Sequence, residues 1–264
     1  MTPRPKKRVV AAYILAVIGL LFIALGVWQY LSGENASAPG ANQQEQTNGE
    51  ANGEAQPPAF DTTRHSIDDP ASPWVIVNKQ RPLDPIDYAP ADLVTPDVPL
   101  KYAADSDESK LREAAAHELE QMFAAAEDDG MPLIFVSGYR SYNYQSALFE
   151  RYAGEMGEAE AELVSARPGH SEHQTGWAAD VGAASRECEI QECFADMPEG
   201  QWVADNAHRF GFIIRYLENH TDTTGFSYEP WHLRYVGTDL AQEVQRTNTP
   251  TLEQFFDLPA APSY

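Results

Sequence analysis

Apolar residues in this 264-residue chain follow three different patterns. The first is an unbroken run from Val9 to Trp28, VVAAYILAVIGLLFIALGVW, with no charged residue. At 1.5 Å per residue a helix over this run spans roughly 30 Å, the hydrocarbon thickness of a bilayer. The second pattern has almost no large apolar residues. Residues 32–60 are rich in Gly, Asn, Gln, Glu, Pro and Ala and contain the duplication NGEANGEA. Such a segment cannot bury enough surface to offset its ordering entropy, and it reads as a flexible linker. The third pattern begins near residue 65, where apolar positions recur at the spacings of folded elements.

Within that third region, Leu111, Ala115, Leu119, Met122 and Ala126 repeat every three or four residues, so a helix is expected over Ser106–Asp129, ended by Gly130. PLIFVSGYRS (132–141) reads as a buried strand running into a turn. Ser141 is positioned to cap a second helix, on which Tyr144, Leu148 and Tyr152 share a face. A short helix is expected near 158–166, strand and turn over 173–183, and a helix before Gly211. FIIRY (212–216) and the end of EPWHLRYVG (229–237) read as strands, and Thr238–Thr247 as a closing helix. Upstream, residues 74–94 are apolar but broken by prolines, which suggests one short strand and an extended arm. Helices mixed with short strands, without regular βαβ alternation, predict a single α+β domain. The division that follows is 1–8 basic tail, 9–31 membrane helix, 32–64 linker, 65–257 folded domain and 258–264 C-terminal tail.

Charge refines the topology. Arg4, Lys6, Lys7 and Arg8 precede the apolar run, which places the N-terminus in the cytoplasm and the rest of the chain outside the membrane. A cleaved signal peptide is the competing reading. Ala36–Ala38 resembles a cleavage site, but Pro39 follows it and the apolar run is longer than such segments require. The net charge of -22 argues against nucleic acid as a partner. Cys188 and Cys193 are the only cysteines. In an oxidising compartment they form a disulfide closing a small loop, with two metal thiolates as the alternative.

Two spacings carry candidate chemistry. His173 precedes Asp180 by seven residues in SEHQTGWAAD, and Glu229 precedes His232 by three in EPWH. A metal that activates water takes three protein ligands and keeps one position open, and His173, Asp180 and His232 make a set suited to zinc. Glu229 would then be free as a general base. Pro230 disfavours helix at Glu229, so the ligands must come from separate strands and turns. The competing reading has His173 capping a turn and His232 as a satisfied core histidine.

SGYRS (137–141), PGHSEHQTGWAAD (168–180), NAHRFGFIIRY (206–216) and GFSYEPWHLRYVG (225–237) occur in this order. Together they resemble the VanY-type D-alanyl-D-alanine carboxypeptidases. Their relatives, the D-Ala-D-Ala dipeptidases and L,D-carboxypeptidases, share the pattern of a serine, a histidine two residues on, an aspartate seven further, and a later E-x-x-H. The resemblance implies a compact zinc-peptidase domain with a small antiparallel sheet flanked by helices. It implies one zinc ion on His173, Asp180 and His232, with Glu229 as the catalytic glutamate. Arg140 is then placed at the substrate, Ser171 lines the substrate site, and Gln145, Trp231 and Arg234 support it, while His170 lies at the rim. The substrate implied is a peptidoglycan stem peptide, cut outside a bacterial cell membrane to which the N-terminal helix holds the enzyme. L,D-carboxypeptidase action is the neighbouring alternative, and a catalytically silent wall-binding module is the alternative of another class.

Overall fold

The computed structural model describes residues 59–264. The apolar run at 9–31 and most of the linker at 32–64 lie outside the described residues. Among the described residues no helix is long and apolar enough to cross a membrane.

A four-stranded antiparallel sheet forms the centre of an α+β domain. Its strands are β3 (Leu133–Ser137), β4 (Ala178–Ala183), β5 (Phe212–Tyr216) and β6 (Glu229–Tyr235), in the spatial order β3-β4-β6-β5. Every residue of β4 is buried, as befits a strand covered on both faces. Small residues dominate it (AADVGA), so neighbouring layers approach closely. A separate two-stranded ribbon joins β1 (Leu93–Val94) to β2 (Leu111–Arg112).

The first long helix, α1 (Glu113–Asp128), buries Ala115, Ala116, Leu119, Met122, Phe123 and Ala126 along one stripe. That stripe packs into the main core with Phe135, Val181, Phe212 and Leu233. The helix starts later than the apolar spacing suggests. Leu111 is buried in register with Val94, so it serves the ribbon, and residues 107–109 form a separate 3-10 turn. Helix α2 (Tyr142–Met156) is capped by Ser141, whose Oγ accepts from the Tyr144 amide at 3.3 Å. Helices α3 (Glu158–Val164), α4 (Pro198–Asn206), α5 (Thr221–Thr224), α6 (Thr238–Thr247) and α7 (Leu252–Phe255) complete the domain.

The buried run Trp74–Val77 is not a strand, although its composition suggests one. The Arg234 guanidinium donates to the carbonyls of Pro73 and Val75 at 2.9 and 2.8 Å, and Trp74 Nε1 donates to Val236 O at 2.8 Å. Side chains thus satisfy groups that a neighbouring strand would otherwise pair. At the other end, residues 258–264 are not a free tail. Ala261 is buried and its amide donates to Thr223 O, while Tyr264 Oη accepts from the Arg167 amide at 2.7 Å. The folded region also begins before residue 65, since the Phe60 ring lies 5.7 Å from that of Trp74.

Arg215 on β5 has no exposed side-chain surface and is gripped by Glu253 of α7 through two bonds, at 2.9 and 2.6 Å. Removing one partner of such a pair leaves an uncompensated buried charge. Glu253→Ala is therefore expected to lower unfolding stability by about 3–5 kcal/mol. Arg246→Ala, an exposed i,i+3 pair on α6, is expected to cost less than about 1 kcal/mol. Urea unfolding of both variants checks the contrast.

Candidate active site

Strand register brings the chemistry together. Ser137 on β3, Asp180 on β4 and His232 on β6 are successive partners across the sheet, so their side chains form one row. His173 comes from the 3-10 turn Glu172–Thr175 that leads into β4. That turn closes on Gly176 in the left-handed region (φ 73°), where a Cβ would also lie 2.8 Å from Arg112 Cγ. Glu229 opens β6 opposite Tyr216 of β5, beside an irregularity in that pairing.

The donor atoms converge. One atom each from His173, Asp180 and His232 lies within 4.8 Å of the others, and all three residues are buried. His173 Nδ1 sits 2.7 Å from Gly138 O. A carbonyl only accepts, so Nδ1 carries the proton and the Nε2 lone pair faces Asp180 Oδ2 at 3.3 Å. His232 Nε2 sits 3.4 Å from Glu172 Oε2, which leaves Nδ1 facing Asp180 Oδ1 at 3.1 Å. A ring nitrogen of each histidine thus faces the one Asp180 carboxylate. Ligand atoms about 2.0–2.1 Å from a tetrahedral zinc are themselves about 3.3 Å apart; the two histidine–aspartate separations, 3.3 and 3.1 Å, lie near that spacing, and all three donor atoms fall within 4.8 Å of one another. The residues present therefore fit a divalent cation.

Electrostatics point the same way. Burial penalises the Asp180 carboxylate, but His173, His232 and Arg140 outweigh it and hold the group well below the usual carboxylate range. Burial, then the Arg140 charge, push His173 down to about 4, so it stays neutral. Burial also opposes a charge on His232, yet its contacts with Asp180 and Glu172 raise it to about 9. Glu229 differs from the other acids. Burial dominates and lifts it to about 7, with His232 and Arg140 opposing only in part. A carboxyl poised near neutrality suits proton transfer.

These residues line one cavity of about 360 Å³. Ser171, Arg140 and Trp231 line it as well. Arg140 Nη2 donates to Asp180 Oδ2 at 2.8 Å and to Ser137 Oγ at 2.9 Å, so this guanidinium orients Asp180 while facing the cavity. Gln145 lies apart. It is fully buried, and its Nε2 donates to Ser165 Oγ and Ala166 O, holding the segment that forms part of the cavity wall. His170 is pinned outside the cluster by Asn78 O and the Tyr264 ring. Arg234 sits behind the turn, donating to Glu172 Oε1 at 2.8 Å. Cys188 and Cys193 are joined in a disulfide with Cα atoms 5.6 Å apart, and their loop reaches the same cavity through Glu189 and Ile190.

Motif spacing does not single out Glu172, Ser137, Arg215 or Tyr216. Glu172 accepts from Arg215 and Arg234, each at 2.8 Å, while its other oxygen faces His232. Burial opposes its charge, but the two arginines outweigh that and keep it ionised. One signal was available. Arg215 and Arg234 interrupt apolar strands, and an arginine buried in a strand demands a buried acid.

Comparison with known proteins follows the same residues. Residues 108–238 match the family model "VanY: D-alanyl-D-alanine carboxypeptidase". The chain is 44% identical over 192 residues to the putative carboxypeptidase YodJ of Bacillus subtilis, covering 73% of this chain and 70% of that protein. Among solved structures, the LdcB LD-carboxypeptidase is 44% identical with a TM-score of 0.67, covering 71% of this chain and 87% of that one. The vancomycin-resistance D,D-pentapeptidase VanY, solved with Zn(II), is 31% identical with a TM-score of 0.54, covering 69% and 97%.

The raised Glu229 carboxyl predicts a pH signature in chelator-treated protein. Between the ordinary value of 4.5 and about 7, the folded state binds this proton more tightly than the unfolded state. The contribution of Glu229 to stability is therefore most favourable below pH 4.5 and declines as pH rises toward 7. Glu229→Gln removes that decline. Its thermal midpoint relative to the parent should rise between pH 5 and pH 8, and a constant difference would refute the reading.

Proposed function

The chain belongs to the VanY family of D-alanyl-D-alanine carboxypeptidases and is a peptidase, and from that membership we propose that it is a zinc enzyme removing the C-terminal D-alanine from peptidoglycan stem peptides. The observation that carries the zinc assignment is the convergence of one donor atom each from buried His173, Asp180 and His232 within 4.8 Å of one another. Zinc held by His173, Asp180 and His232 would supply Lewis-acid polarisation of the scissile carbonyl and lower the pKa of water beside it.

The chain's own residues supply the rest. Glu229, with its carboxyl near 7 and Oε2 3.7 Å from His232 Nδ1, accepts a proton from the attacking water and returns it to the leaving amine. Arg140 keeps Asp180 ionised and oriented, and its planar fork faces the cavity where an oxyanion or a substrate carboxylate would lie. Glu172 faces His232 Nε2 and orients that ring toward Asp180. Ser171 and Trp231 line the approach to this cluster.

L,D-carboxypeptidase action on tetrapeptide stems is the second reading. It is favoured by the 44% identity to the LdcB LD-carboxypeptidase. Either reaction fits a domain held outside the cell by the apolar run at 9–31. The basic residues before that run and the disulfide both support this placement.

The purified protein is to be incubated with a stem pentapeptide ending in D-Ala-D-Ala and with the matching tetrapeptide, with and without chelator, and the products weighed. Chelator-sensitive loss of one alanine from the pentapeptide establishes D,D cleavage. Loss from the tetrapeptide alone selects the L,D reading, and no loss from either refutes both. Glu229→Gln is expected to retain zinc while losing about a thousandfold in turnover. Asp180→Ala should lose zinc on dialysis, as metal analysis will show.

A further inference from the structure

The cavity that holds the catalytic cluster continues beyond it, and two surfaces from distant parts of the chain line that continuation. One is the face of α2 carrying Tyr144, Leu148, Arg151 and Tyr152. The other combines Lys101 and Tyr102 with Glu189 and Ile190 of the disulfide-closed loop.

Three observations mark this region as a binding surface. First, exposed apolar side chains concentrate here. Among the described residues Tyr102, Tyr144, Val164 and Ile190 are exposed large apolar side chains that line the cavity, whereas Ile86, Val94 and Met156 are the others and do not. Apolar exposure gathered at one site marks an interaction surface.

Second, Arg151 lacks an acidic partner in a chain where acids greatly outnumber bases, 40 to 18. Lys101, Arg112, Arg140, Arg167 and Arg186 each lie within 4.0 Å of a carboxylate. No carboxylate among the described residues pairs with Arg151, whose guanidinium sits 5.0 Å above the Tyr152 ring. A guanidinium that is preorganised over an aromatic ring and keeps its donors free can take a carboxylate ligand.

Third, the loop is held in a costly shape. Arg186, Cys188 and Ile190 all adopt positive φ (64°, 54° and 54°), and for the β-branched Ile190 this is a genuine outlier. The disulfide and the pairing of Glu189 with both Lys101 and Arg186 hold the loop there and keep Ile190 at the cavity.

We propose that this outer region binds the acyl side of the substrate, the residues before the scissile bond, with Arg151 taking a free carboxylate and Ile190 and Tyr102 packing on the aliphatic part. The inference rests on the carboxypeptidase reading above. It identifies the preferred substrate as an acidic stem peptide in which the γ-linked glutamyl residue keeps its α-carboxylate. Amidation of that carboxylate removes the charge and leaves the shape almost unchanged.

That chemistry supplies the test. The protein is given two stem pentapeptides, and the two matching tetrapeptides, that differ only in a γ-D-glutamyl carboxylate or its amide. The parent should cut the acid form with about tenfold higher kcat/KM, mainly through KM. Arg151→Gln should narrow the gap to less than about twofold, with Arg151→Lys in between. Ile190→Ser should raise KM for both forms without changing zinc content. Calorimetric binding of the two cleavage products, the tetrapeptide and the tripeptide, each as acid and as amide, to chelator-treated protein provides a readout independent of cleavage.

A parent that cuts both peptides equally, or an Arg151→Gln variant that keeps the full preference, overturns the proposal while leaving the carboxypeptidase reading intact. Binding of either product with an Arg151-dependent preference for the acid, but no cleavage, sinks the catalytic reading and sustains this one. Neither cleavage nor binding overturns both.

Discussion

Charge balance inside a water-poor interior governs this structure. Glu172, Glu253, Arg215 and Arg234 are all buried, and two acids meet two guanidiniums. Arg140 balances Asp180 in the same way. Glu229 is the acid at the centre with no guanidinium in contact, and its carboxyl is the one pushed up toward neutrality. The difference between a carboxylate held ionised and one raised toward neutrality thus follows from where three arginines were placed. Moving one of them to Glu229 would quench its basicity and leave a buried charge unpaired elsewhere.

The same arginines organise the backbone. Arg234 links the turn bearing Glu172 to the carbonyls of Pro73 and Val75, and so attaches the segment before the ribbon to the sheet. Arg215 extends the connection to α7 through Glu253. A change in α7 or at residues 73–75 is therefore felt at His232 through a short chain of charge-assisted bonds. The disulfide loop belongs to a different layer of control, because it shapes the cavity wall without touching the donor atoms.

Much of the site was legible because its chemistry follows local spacing. His173 and Asp180 are joined by one turn and one strand, and Glu229 and His232 lie within one strand. The stripe on α1 and the Ser141 cap were also readable, since both are written in nearby residues. What was not legible depended on distant partners. Leu111 has the spacing of a helical residue but pairs with Val94. Residues 74–77 read as a strand because they are apolar, yet Arg234, about 160 positions away, takes their carbonyls. Gln145 matches the family pattern, but its amide faces residues 165 and 166. Glu172 stands next to His173, and only the folded sheet shows that two arginines converge on it.

The donor set is scattered across the chain, on a turn, on β4 and on β6, the last strand of the sheet. No fragment ending before residue 232 contains it. During synthesis the chain must therefore emerge past His232 before the three side chains can meet. The donor set is thus assembled only once β6 has been made and has paired with β4.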